Sequence, residues 1–111
     1  MSDDRELLEM AAKACGIRLD YRRGSDAYYF DDPFSGREEW HPLTRRSQAL
    51  WLMAKLGIQA SVCRDFQAEA SDENETTCAV EPCQNATEDE SVRCLCRAIV
   101  RVSAEIGKGM P

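Results

Sequence analysis

The chain has 111 residues, 43% of them apolar and 31% charged, with a formal net charge of −6. This length supports one domain with a single modest core, because folding at this size removes only about two-thirds of the unfolded surface from water. No run approaches the roughly 18 uninterrupted apolar residues of a membrane helix, and the acidic start Ser2-Asp3-Asp4-Arg5-Glu6 is the reverse of a cationic secretory leader.

The expectation is therefore one cytosolic domain over residues 1–111. In that compartment the six cysteines, Cys15, Cys63, Cys78, Cys83, Cys94 and Cys96, read as free thiols. Charge is unevenly placed. Nine of the 20 acids fall between Asp65 and Glu90, where no Lys or Arg occurs, leaving 11 acids against all 14 basic residues elsewhere. An acidic lobe on a mildly basic body is the most informative feature of the composition.

The first helix is predicted to start at Asp3, which forms a capping box with Glu6. Leu7, Leu8, Met10, Ala11, Ala14 and Cys15 line one face at helical spacing, and Gly16 ends it. Ile17, Leu19 and Tyr21 alternate with charged residues, and Gly24-Ser25 turns the chain into a returning strand over 26–30. Residues 31–36 read as a loop.

Trp40-His41-Pro42-Leu43-Thr44 leads into a second helix with Thr44 as N-cap. Ala49, Leu52, Met53 and Leu56 form its buried stripe, and Gly57 ends it in the left-handed conformation. Ile58, Ala60 and Val62 alternate with polar neighbours, and the same phase runs on through Phe66, Ala68 and Ala70, so a long third strand is expected. A fourth spans Thr77 to Val80. The last helix opens on a second capping box, Thr87 with Glu90, carries Val92, Leu95, Cys96, Ile99, Val100 and Ile106 on one face, and closes at Gly107. The predicted order is α-β-β-α-β-β-α, an α+β sandwich with one antiparallel four-stranded sheet flanked by three helices. The two αββ passages are loosely alike.

Few residues point to catalysis or cofactors. A zinc site would need Cys78, Cys83, Cys94 and Cys96 to converge, but side chains at i and i+2 on a helix lie about 200° apart. No metal is expected; whether Cys78 and Cys83 pair stays open. The single histidine, His41, precedes Pro42, which biases it to extended backbone, so it reads as a packing or capping residue and no catalytic residue is assigned. No glycine-rich phosphate loop follows a strand, and no cofactor is expected.

Two surface features remain. Arg93, Arg97 and Arg101 recur every fourth residue as a basic ridge, with Asp89 and Glu105 placed to neutralise its ends. The acidic lobe presents carboxylates that can imitate a nucleic-acid backbone and steer a basic protein toward them. Trp51 lies off the buried stripe with Gln48 and Lys55, either as an interface anchor or as a cover for the hairpin.

Three blocks carry a resemblance to a known family. They are Glu6 through Ile17, Trp40-His41-Pro42-Leu43-Thr44 with Ala49-Leu50 and Lys55-Leu56-Gly57, and Arg97 through Lys108. Together they resemble the phage ABA-sandwich domain, a family of small phage and prophage proteins. The chain departs from it at His41, where members typically have Asn, and in its longer acidic stretch. The resemblance implies a sheet flanked by helices, a phage genomic setting, residence in the bacterial host cytoplasm and no enzyme activity.

The expected function is that of a small accessory protein that binds a host macromolecule, as a counter-defence inhibitor of anti-CRISPR or anti-restriction type. The expected partner is a bacterial host protein, a defence nuclease or its complex. The assigned contact residues are Asp72, Glu73, Glu75, Glu88, Asp89 and Glu90, with Trp51. The alternatives are a nucleic-acid-binding regulator using Arg93, Arg97 and Arg101, against which the net charge counts, and a virion assembly protein.

Overall fold

In the computed structural model, which describes residues 2–24, 27–32, 36–63, 67–72, 78–82 and 88–110, three helices and six strands make an α+β fold. The order is α1 (Ser2–Cys15), β1 (Asp20–Arg22), β2 (Ala27–Asp32), β3 (Gly36–Glu39), α2 (Arg46–Leu56), β4 (Gln59–Cys63), β5 (Gln67–Ser71), β6 (Cys78–Pro82) and α3 (Glu88–Lys108). No described helix is long and apolar enough to cross a membrane.

Helix α3 is the spine. Its buried residues Cys94, Ala98, Ile99, Val100, Val102 and Ala104 occupy most of its circumference, because it is covered by α1, α2 and a sheet at once. The buried Ser103 satisfies its hydroxyl by donating to the Ile99 carbonyl at 2.8 Å. Gly107 does not close this helix as the sequence suggested; α3 runs on through Lys108. The glycine instead permits contact with α1, since a Cβ there would lie 2.0 Å from the Met10 carbonyl oxygen.

The strands form two three-stranded antiparallel sheets, β1-β2-β3 and β4-β5-β6, rather than one sheet of four. Two misread segments account for the difference. Gly36–Glu39 is a strand although Arg37-Glu38-Glu39 has poor strand propensity. Pairing with β2 overrides it: Arg37 faces Asp31 and ion-pairs with it at 3.2 Å, and the Trp40 N–H donates to the Tyr28 carbonyl at 2.8 Å.

The long strand expected over 58–70 is instead the hairpin β4–β5. Its register pairs Ala60 with Ala70 and Val62 with Ala68, so even-numbered residues oppose even-numbered residues. The alternation therefore keeps its phase through the connection, which is why the segment read as continuous. The likeness of the two αββ passages corresponds in the fold to two successive αβββ units followed by α3.

Each sheet meets the helices differently. The β4–β6 sheet lies close on α3 because Ala68, Ala70 and Ala79 point inward and let the backbones approach. The β1–β3 sheet stands off from α1 on large side chains, with Tyr28, Phe30 and Trp40 buried between them. The Trp40 indole N–H donates to the Leu8 carbonyl at 2.9 Å, and the Tyr28 hydroxyl donates to Glu9 while accepting from Arg5 Nε.

Helix termini follow the expected signals in part. Gly16 and Gly57 have positive φ and end α1 and α2. The N-cap of α2 is Arg45, without a side-chain cap bond; Thr44 turns back to His41 instead. Helix α1 already includes Asp3, and Thr87 lies outside the described residues.

Gly107→Ala should force α1 and α3 apart and destabilise the protein by about 1–3 kcal/mol, the range for overpacking a close contact. Urea denaturation followed by far-UV circular dichroism measures it, and a loss below about 0.5 kcal/mol would mean that the two helices separate easily.

Candidate functional site

A cleft of about 710 Å³ lies between the end of α1, the β1–β3 sheet and α2. Its volume is in the range of clefts that hold ligands or partner segments. The back wall is aromatic. Phe30 meets Trp40 edge-on at 5.4 Å between ring centroids, and Trp40 meets Trp51 edge-on at 6.5 Å. Trp40 is fully buried, whereas Trp51 is 44% exposed and stands at the edge of the cleft.

Trp51 is held there by α2. Ala49 and Leu52 turn into the core, so the adjacent Leu50 and Trp51 must turn out, and Leu50 is 62% exposed. Ser47, Leu50, Trp51 and Ala54 follow the i, i+3, i+4, i+7 spacing and are all exposed. They form an uncharged stripe with the two largest exposed apolar side chains of the helix at its middle.

The loop that fixes this arrangement centres on Gln48. Read from sequence as a surface neighbour of Trp51, it is buried. Its side-chain oxygen accepts from the His41 N–H at 2.7 Å, and its side-chain nitrogen donates to the Glu39 carbonyl at 2.6 Å and to Glu38 Oε1 at 3.1 Å. His41 in turn shares a 2.9 Å hydrogen bond between its Nδ1 and the Thr44 hydroxyl. Both side chains brace the β3–α2 connection, His41 as the packing or capping residue the sequence suggested, and Gln48 in a role that depends on β3.

Charged groups surround the aromatic wall. Arg37 donates to Asp20 at 2.7 Å and to Asp31 at 3.2 Å, and Arg45 lies 3.3 Å from Glu39 and 4.0 Å from Glu38. Each arginine thus serves two carboxylates. Asp20, Asp31 and Glu38 line the cleft, as does Arg18.

The basic ridge is not an open cationic surface. Glu81, only 14% exposed, is bonded by Arg101 at 2.6 Å and approached by Arg97 at 3.6 Å, while Arg97 also reaches Asp4 at 3.1 Å. Arg93 pairs with Glu90 at 3.6 Å. Glu105, expected to neutralise Arg101, pairs with Lys108 instead, while the side chain of Asp89, expected to neutralise Arg93, lies outside the described residues. Glu81, counted with the acidic lobe, is a clamp between β6 and α3.

Of the other acidic residues assigned to partner contact, Glu73 and Glu75 lie outside the described residues, as does the side chain of Glu88. Asp72 and Glu90 are each engaged within the fold. Neither Asp72 nor Glu90 lines the cleft at which Trp51 stands; the described carboxylates that do are Asp20, Asp31 and Glu38, which sequence reasoning did not select. Only strand register could have revealed them.

Cys15 also lines the cleft, and burial pushes its thiol up to about 11, opposed weakly by Lys55. Burial raises the Cys96 thiol as well. Neither is poised as a thiolate at neutral pH. Among the described residues no group of three or more His, Cys, Asp or Glu side chains converges on a metal position, and Cys83 lies outside them.

Alkylation of Cys15 by iodoacetamide, followed by peptide mapping, should be slow at pH 7 and accelerate about tenfold per pH unit until it levels near pH 11. The same shift fixes the sign of its effect on folding. The folded-state value is raised, so the contribution is complete below pH 9 and is lost as pH climbs through 11. A rate already level by pH 8.5 would overturn both statements. No protein family, curated protein or solved structure matches the chain.

Proposed function

We propose that the chain is a small non-enzymatic binding protein that engages a protein partner through the outer face of α2 and the cleft beside it. The observation that carries this reading is the exposed Leu50–Trp51 pair on the uncharged stripe of α2. A helix that turns two of its largest apolar side chains to water, beside an aromatic cleft, has the makings of an interface centre with a polar rim.

The acidic balance supports a basic partner. With a net charge of −6, long-range attraction favours a positively charged protein surface and opposes nucleic acid, and Glu81 and Asp4 already occupy Arg97 and Arg101. The sequence resemblance to the phage ABA-sandwich domain supports a bacterial host as the setting. On that reading the partner is a basic host protein such as a defence nuclease, blocked in the host cytoplasm.

The test is co-purification from lysate of a bacterial host at physiological salt, with tagged wild type compared against Trp51→Ala and against Asp72→Ser/Glu73→Ser/Glu75→Ser. All three proteins should be folded at the temperature of the assay, as far-UV circular dichroism checks. A near-stoichiometric protein should be retained by wild type. Trp51→Ala should weaken it by about 2 kcal/mol, roughly thirtyfold in Kd, as truncating an interface anchor does. Weakening by the triple variant alone would move the contact to the acidic lobe, and indifference to both would end the proposal.

A further inference from the structure

We infer that the cleft receives an extended segment of the partner protein and seats one of its arginine side chains against Trp51. This rests on the interface reading above and adds the chemistry of the occupant.

Three observations converge on that occupant. The first is the sheet edge. Strand β1 enters opposite Tyr29, with Asp20 paired to Tyr29, so Asp31, the next residue whose backbone faces that side of β2, has no described strand opposite it. Phe30 and Asp31 both line the cleft, together with Ile17 and Arg18 of the chain that leads into β1. An open edge beside a cleft invites an extended segment, whose backbone can pair with it.

The second is charge. Asp20 and Asp31 share Arg37, and Glu38 and Glu39 share Arg45, so each group of three carries one negative charge in excess. The third is the aromatic face. Trp51 is edge-on to Trp40 and 44% exposed, which leaves indole surface for a planar cation. The protein seats its own arginines in this way, with Arg5 lying 4.4 Å from the Tyr21 ring centroid and Arg22 lying 5.2 Å from that of Tyr29.

A guanidinium suits the site better than an ammonium, because it stacks flat on a ring while its edge forks to a carboxylate. Glu38 is a suitable acceptor, its carboxylate being steadied by the buried Gln48. Among the described residues Arg18 is the one cation lining the cleft, and it opposes the incoming charge. Its removal should therefore strengthen binding, an effect that a purely apolar groove would not show.

The chain contains two tryptophans, and both line the cleft, so their indole N–H resonances report on it. The probes are acetylated, amidated tripeptides with a central arginine, lysine or norleucine between alanines, titrated into the full chain at physiological salt. The arginine peptide should shift the Trp51 indole saturably, with a Kd on the order of millimolar for so small a ligand. The lysine and norleucine peptides should bind at least about threefold more weakly. Glu38→Gln, which keeps an acceptor for Gln48, should weaken the arginine peptide several-fold, and Arg18→Ser should tighten it.

Unmoved indoles, equal binding of all three peptides, or no response to Arg18→Ser would each overturn the inference. If that happened while Trp51→Ala still released the co-purified partner, the interface on α2 would stand without an arginine. If partner capture were indifferent as well, both readings would fall.

Discussion

Burial of Trp40 is the contact on which the rest of the architecture depends. Its backbone N–H continues the β3 ladder onto Tyr28, its indole N–H crosses to the Leu8 carbonyl of α1, and its ring meets both Phe30 and Trp51. One side chain thus joins a sheet, the first helix and the second helix. Burying a tryptophan and satisfying its single donor is worth several kcal/mol, a large share of the stability of a domain this size. Two residues later Pro42 is also fully buried, and the following turn, held by Gln48 and His41, aims α2 so that Trp51 comes out at the edge of the cleft.

The two sheets share the helices by different physical means. Alanines at the α3 interface allow the β4–β6 sheet to pack with backbones close, while Tyr28, Phe30 and Trp40 hold the β1–β3 sheet away from α1. That separation leaves room for a cleft where the aromatic layer ends. The polar cluster beyond it, with Arg5 bonded to Tyr28 and lying over Tyr21, closes the other end of the same layer. The concavity is a consequence of sizes: large side chains on one sheet, small ones on the other.

Charge has a structural role before it has any functional one. Arg37, Arg45, Arg97 and Arg101 each contact carboxylates from other elements, tying β1 to β3, the β3–α2 connection to β3, and α3 to both α1 and β6. These pairs are mostly exposed and individually worth little. Their arrangement decides which charges remain for a partner, however. The arginine ridge is largely taken up by Glu81, Asp4 and Glu90, whereas the carboxylates around the cleft outnumber the arginines they share.

From sequence alone, the three helices, the α+β class and the ends of α1 and α2 were legible, because helical periodicity and left-handed glycines such as Gly16 and Gly57 are local signals. Trp51 stood out for the same reason: it breaks the apolar stripe of its helix. What only the tertiary structure decided was non-local. Strand β3 exists through its pairing with β2 despite its charged sequence, and the β4–β5 hairpin hid in the even-to-even register that preserves alternation through the connection. Gly107 looked like a helix stop until Met10 was found against it. The cleft gathers Cys15, Asp20, Phe30, Glu38 and Trp51 from five elements, and no spacing along the chain encodes that meeting. Local periodicity fixes which face of an element is apolar; packing alone decides which faces meet and what is left open between them.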